Sequence, residues 1–175
     1  MILGLDISSS CTGYGILNDK GLVVDYGQIK PSPKFSHGAK YGFIAYTIRN
    51  LLTEYSITNI VIESYFVSQV RGQSTFICAE CRGAIKALIA MEFPDIKLMP
   101  EISPSSLKKC ITGKGRCDKI DLAKVILNKL NIKYTSLTGK GSKCRFVVEG
   151  LTYTDDCSDA LALAYMYYLT TREGI

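Results

Sequence analysis

The sequence predicts a single α/β domain spanning residues 1–175. Its expected core is a five-stranded mixed sheet, an antiparallel meander followed by parallel strands, flanked by helices. Three observations carry that expectation. Three β-rich runs open the chain with short turns between them. After them, β-rich runs alternate with apolar residues at helical spacing. The 175 residues suffice for one domain with a real core, and no repeat or linker divides them.

Ile2-Leu3-Gly4-Leu5 is an apolar run of the kind a fully buried strand shows. Asp6 follows, then Ser8, Ser9, Ser10, Thr12 and Gly13, before a second apolar strand at residues 14–17. This reads as strand, tight turn, strand, with a turn that backbone or a phosphate can approach closely. Residues 22–29 complete the meander after Asp19-Lys20-Gly21, and Pro31-Ser32-Pro33 breaks it. From Ser36, the positions Tyr41, Ile44, Ile48, Leu51, Leu52 and Tyr55 recur at helical spacing. Residues 59–66 are β-rich again, interrupted by Glu63. A long helix from Gly72 to about Phe93 is dense in Ala, Ile, Leu and Cys. Its apolar width predicts burial on more than one side, including against another subunit. Pro94-Asp95 ends it, and residues 96–99 form a fifth short strand.

Ser103 with Pro104 then opens a short helix near Leu107-Lys108-Lys109. Residues 112–115 are a basic loop, and Asp118 caps a helix through Leu130. Residues 134–149 have no clean period and read as a loop or hairpin. The last helix carries Asp155, Asp156 and Asp159 at its start, followed by Ala160-Leu161-Ala162-Leu163-Ala164.

Hydrophobic content of 47% and charged content of 21% exclude disorder of the whole chain. No apolar run approaches the roughly 20 residues that span a bilayer. The N-terminus lacks the basic region and cleavage pattern of a secretory signal, so a cytoplasmic protein is expected, in the host cytoplasm if viral. The seven Cys are then expected to be reduced thiols. Cys78 and Cys81 stand in Cys-x-x-Cys spacing, but without a second pair, and His37 is the sole His. Packed thiols account for them better than zinc. Net charge is +5 and unevenly spread. Residues 108–145 hold eleven Lys or Arg against Asp118 and Asp121, a local net of +9, which leaves −4 elsewhere. Such a half suits a polyanionic partner, the plainer reading being a solvated Lys-rich face.

A carboxylate in a buried strand is costly unless it is paired, hydrogen-bonded or bound to metal. Asp6 alone can be a turn cap, and Asp156 and Asp159 alone can answer the helix dipole. The combination is different. Asp6, Glu63, Asp156 and Asp159, converging from two strands and a helix, would repel one another without a cation. Hard oxygen ligands select Mg²⁺ or Mn²⁺. Two such ions ~4 Å apart can activate a water and steady the leaving oxygen in phosphodiester hydrolysis.

At these residues the sequence resembles the RuvC-type Holliday-junction resolvases, which have the ribonuclease-H-like fold. The likeness rests on Gly4-Leu5-Asp6-Ile7 with Thr12-Gly13-Tyr14-Gly15, on Val61-Ile62-Glu63 with Phe66, and on Asp156-x-x-Asp159-Ala160-Leu161-Ala162. It implies a structure-selective endodeoxyribonuclease that resolves four-way junctions, and acts on other branched DNA, by paired cuts from a homodimer. By resemblance Asp6, Glu63, Asp156 and Asp159 hold two Mg²⁺ ions, with Mn²⁺ able to substitute. Lys108 and Lys119 match two basic active-site positions, and Phe66 an aromatic that packs on junction bases. Lys109, Lys114 and Arg116 are expected to join them on DNA. The small residues Ala79, Gly83, Ala87 and Ala90, with Phe76, are expected at the dimer interface. The long basic stretch 137–148 and the Cys count depart from the pattern, and the Lys- and Tyr-rich composition resembles bacteriophage members. Two rivals share parts of the signal. A related nuclease acting on RNA ends has the same fold. Actin-like ATPases and sugar kinases have a similar Gly-Leu-Asp-Ile-Ser-Ser-Ser-x-Thr-Gly hairpin, but need a second copy and a much longer chain.

Overall fold

The opening apolar run forms β1 (Ile2–Asp6), paired antiparallel with β2 (Thr12–Leu17), which pairs in turn with β3 (Val23–Ile29). The computed structural model describes residues 1–64 and 72–173. Helix α1 (His37–Glu54) crosses to β4 (Asn59–Ile62), which lies parallel to β1 on its free side. Helix α2 (Gly72–Glu92) leads to β5 (Lys97–Leu98), parallel to β4. The sheet order is β3-β2-β1-β4-β5, the mixed five-stranded sheet that the periodicities predict. Then follow α3 (Pro104–Thr112), α4 (Lys119–Lys129) and α5 (Asp155–Glu173). Among the described residues no helix is long and apolar enough to cross a membrane.

Side chains alternate across the sheet and split the core into two layers. Leu3, Leu5, Ile60 and Ile62 bury against Ile44, Ile48, Ile85 and Ile89 of α1 and α2. Ile2 and Val61 face the other way, toward Leu107, Leu122, Ile126 and Leu161 of α3, α4 and α5. Local chemistry fixes the helix starts. Ser36 Oγ accepts from the Ala39 amide at 3.3 Å, and Ser103 Oγ from the Ser106 amide at 3.1 Å. Asp118 occupies the cap position of α4 but makes no side-chain capping bond.

Three expectations need correction or adjustment. The ladder of β4 ends at Ile62, and Glu63 keeps only an isolated parallel bridge to Ile102. The fifth strand is two residues rather than four. Of the loop and hairpin alternatives for residues 134–149 the hairpin holds, and a third strand extends it: β6 (Ser136–Lys140), β7 (Lys143–Val148) and β8 (Leu151–Thr154) form a second, antiparallel sheet. Its inner face buries Cys144 and Phe146, and Phe146 stacks on Tyr153 with centroids 5.3 Å apart. The β7–β8 turn places Glu149 and Gly150 at φ +50° and +82°, the type I′ geometry that matches strand twist.

Glycines decide where α5 lies. Gly4 pairs with Gly15 and Asp6 with Gly13, so the three glycines and Asp6 share one patch of the sheet. A Cβ on Gly4 would stand 2.1 Å from the Ala160 carbonyl oxygen, and one on Gly13 1.9 Å from that of Asp156. Any larger residue would push the helix away. The approach that the opening turn permits is therefore that of a helix backbone.

Candidate active site

That approach brings the start of α5 down onto Asp6. Residue alternation carries the geometry further: Gly4 pairs with Val61 across β1 and β4, so two residues on, Asp6 and Glu63 are neighbours facing α5. Burial raises the Asp6 carboxyl to about 7, with further push from Glu63, Asp156 and Asp155 and relief from Lys119. Burial also raises Glu63, opposed by the charges of Lys119, Arg82 and Lys108. Four carboxylates thus crowd one end of the sheet, with one ammonium among them.

That ammonium is Lys119, the first residue of α4. Its Nζ donates to Asp159 Oδ2 and stands 3.6 Å from Asp155 Oδ2. Asp159 is only 1% exposed, and its Oδ1 has no hydrogen-bond partner among the described residues. A buried carboxylate oxygen without a partner costs about 1–3 kcal/mol or more, a cost that a donor or cation beside it would offset. Asp156 is oriented differently: Thr154 Oγ1 donates to its Oδ2 at 2.7 Å, and Gln28 Oε1 accepts from the Thr154 amide at 3.1 Å. Among the described residues, no three His, Cys, Asp or Glu side chains are gathered tightly enough to be a ready metal cage. The donor set is nevertheless all carboxylate, and Asp159 Oδ1 lacks a partner, so the residues present fit a hard divalent cation.

The basic residues divide. Lys108 lies close enough to act on Glu63, but its Nζ donates to the Cys117 carbonyl at 2.8 Å and so pins the 113–117 loop. Lys109, Lys114 and Arg116 are exposed. Phe66 lies outside the described residues. Sequence reasoning noted Asp155 without giving it a role, and missed the Thr154–Gln28 brace and Arg82. Arg82 is buried on α2, its Nη2 2.9 Å from Glu101 Oε1 at an angle outside hydrogen bonding. Asp155 was visible beside Asp156; Gln28 and Arg82 carry no signal without the fold.

The cysteines sit apart from this chemistry. Burial raises the Cys81 thiol to about 11 and the Cys11 thiol to about 12, so neither is an activated nucleophile. A cleft of about 550 Å³ opens between β5 and α5, lined by Met99, Pro100, Ile102 and Met166 and by none of the carboxylates. The acidic cluster lies instead at an open sheet end, which suits a polymer rather than an enclosed small molecule.

Known proteins resemble this chain in sequence and fold. Residues 2–140 match the family model of the crossover junction endodeoxyribonuclease RuvC. The RuvC of Ehrlichia ruminantium is 32% identical over 177 aligned positions, covering 98% of each chain. That of Orientia tsutsugamushi is 29% identical over 168, covering 94% of this chain and 92% of its own. Among solved structures, Thermus thermophilus RuvC in complex with a Holliday junction substrate superposes with a TM-score of 0.74 at 16% identity, covering 99% of this chain and 95% of that one. The yeast mitochondrial Holliday junction resolvase Ydc2 gives 0.59 at 13% identity, covering 95% and 77%. These two share the fold, which is the ribonuclease-H-like one. With residues 2–140 matched by the family model and a relative 32% identical across 98% of the chain, the chain belongs to the RuvC family of crossover junction endodeoxyribonucleases.

Proposed function

We propose that this protein resolves four-way DNA junctions by metal-dependent phosphodiester hydrolysis, with Asp6, Glu63, Asp156 and Asp159 as the metal ligands. The observation that carries the reading is the crowding of Glu63 and Asp156 on buried Asp6, with Lys119 linking that group to Asp159, whose Oδ1 has no partner among the described residues. Metal dependence belongs to the family's chemistry, and two Mg²⁺ ions, replaceable by Mn²⁺, suit the all-oxygen set. When bound, such ions supply a water nucleophile at neutral pH and charge neutralisation at the leaving oxygen.

The chain's own residues do the rest. Thr154 and Gln28 hold the Asp156 carboxylate in one orientation. Burial around Asp6 and Glu63 keeps bulk water from screening their charge. Lys119 holds a proton-rich Nζ beside Asp155 and Asp159, from which it can meet the non-bridging oxygens of an approaching phosphate. Lys108 positions the loop that carries Lys114 and Arg116, which neutralise neighbouring phosphates. By the family resemblance Phe66 is assigned to stacking on an unpaired base, worth about 1–3 kcal/mol.

Two cuts on strands of like polarity call for two sites, which a C₂ homodimer provides. The α2 face supports it: Phe76 is 71% exposed, and Ala79, Gly83, Ala87 and Ala90 on the same side are exposed too. Small residues there permit close helix approach.

Purified protein with Mg²⁺, offered four-way, three-way, duplex and single-stranded DNAs and RNA ends, tests the reading. Paired nicks on the four-way substrate, exceeding duplex cleavage by orders of magnitude, are expected. Equal cutting of plain duplex would remove junction selectivity, and preference for RNA ends would favour the rival nuclease.

A further inference from the structure

Residues 136–154 present a cationic face that the site described above does not use. In β7 the side chains alternate, Cys144 and Phe146 entering the core while Lys143 and Arg145 are exposed. Pairing sets Lys140 directly across from Lys143, and Thr138 across from Arg145. Directly paired residues project to the same side of a sheet, so Lys140, Lys143 and Arg145 form one outward strip. Like charges opposite each other weaken a hairpin. None of the three has an ion pair among the described residues. The strip is thus an uncompensated positive surface.

Its position is fixed by backbone bonds to the acidic cluster. The β6–β7 turn has Gly141 at φ +63°, the first position of a type II′ turn. The Gly141 carbonyl accepts from the Lys119 amide at 3.1 Å. The Cys144 amide donates to Asp155 Oδ1 at 3.3 Å. Farther along, Arg145 pairs with Thr154, whose hydroxyl reaches Asp156. A basic tail would add affinity without direction; this strip is held at the rim of the carboxylates on both sides.

We infer that the β6–β7 hairpin is a phosphate-gripping arm: Lys140, Lys143 and Arg145 hold the nucleic-acid backbone that flanks the phosphate lying over the acidic cluster. The assignment rests on the nuclease reading for its substrate. It separates two jobs, the arm setting affinity while the carboxylates and Lys119 act on the phosphate. Basic residues on a hairpin whose outer strand, β6, is a sheet edge can also serve merely to block pairing with other chains. That role predicts aggregation on their removal and no change in DNA binding.

The test uses the full chain carrying K140S/K143S/R145S, which leaves Cys144, Phe146 and Gly141 intact, compared with wild type by melting temperature. Binding to a four-way junction and to duplex is measured over a salt series. The slope of log K against log salt is expected to fall by about 2–3, with affinity lower about tenfold or more at about 0.1 M salt. Cleavage at saturating protein should stay within about twofold of wild type. Lys143→Gln alone should lower the slope by about one. An unchanged slope in both variants, with or without aggregation, overturns the arm. A wild type that cuts no junction, while the variant still loses salt slope, sinks the nuclease reading and leaves the arm as a nucleic-acid grip.

Discussion

The acidic end of the sheet and the basic segment beside it are built in opposite ways. Asp6, Glu63 and Asp159 are placed by the core: two strands in register, a glycine patch that admits α5, and burial that holds the carboxylates close. Lys109, Lys114, Arg116, Lys140 and Lys143 are placed by a helix end, a loop and exposed strand positions, with solvent around them. One region spends folding energy to keep like charges together; the other leaves its charges free for a partner. Changes at the first should therefore abolish an all-or-none property, and changes at the second should grade a continuous one.

The largest effect is expected from Asp6→Asn or Glu63→Gln. Each keeps size and removes charge, so junction cleavage should drop by orders of magnitude while junction binding persists or tightens. Cleavage retained near the wild-type rate in either variant would break the contrast between the two regions.

The glycine patch comes next. Gly4→Ala places a methyl 2.1 Å from the Ala160 carbonyl, so overpacking of about 1–3 kcal/mol or more is expected, with α5 displaced and cleavage reduced. Gly38→Ala in α1 meets nothing within 4 Å and should be neutral or stabilise by about 0.5–1 kcal/mol. Thermal melts of the pair measure the difference. Equal melting temperatures would mean that α5 is not held by the glycines.

These two glycine roles show what a sequence hides. The meander, α1, α2 and the Ser103 cap are local patterns, legible because each depends on residues within a turn or two of one another. The four acids were legible as anomalies, charges standing in apolar runs. The purpose of Gly4 and Gly13 was not, since the group that needs their space lies some 150 residues farther on, in α5. The second sheet was only half legible for another reason: alternation is clean only across Lys143–Val148, and the glycines on either side left loop and hairpin undecided. Lys108 matched a family position, yet its Nζ is tied to the Cys117 carbonyl, a partner fixed by the fold of the loop.

A smaller effect comes from pH. In metal-free protein the folded Asp6 holds its proton up to about 7, against 3.8 for the ordinary carboxyl. The folded state therefore binds more protons than the unfolded one in this window, and stability should fall as pH rises from about 4 to about 7. Denaturant titrations with chelator present should show that decline for wild type and a flatter profile for Asp6→Asn. A rise in wild-type stability over the same window would mean that Asp6 ionises easily.

On α2, Ala87→Arg puts a charge in the small-residue face. Sedimentation should show a shift from dimer to monomer at micromolar protein, and junctions should be nicked once rather than in pairs. A wild type already monomeric at that concentration would discard the α2 interface. The smallest expected effects are at single exposed lysines: Lys109→Ala or Lys114→Ala should each lower the salt slope of DNA binding by about one, with cleavage at saturation nearly unchanged.

The central claim is that the carboxylates form a divalent-cation site, and it is tested most directly by counting bound Mn²⁺ by electron paramagnetic resonance with junction DNA present. Wild type is predicted to bind two ions per protomer. Asp159→Asn, which alters the buried carboxylate with the bare oxygen, is predicted to lose at least one of them or to weaken both by orders of magnitude. Identical Mn²⁺ binding by wild type, Asp159→Asn and Asp6→Asn would contradict the assignment of these residues as the metal site.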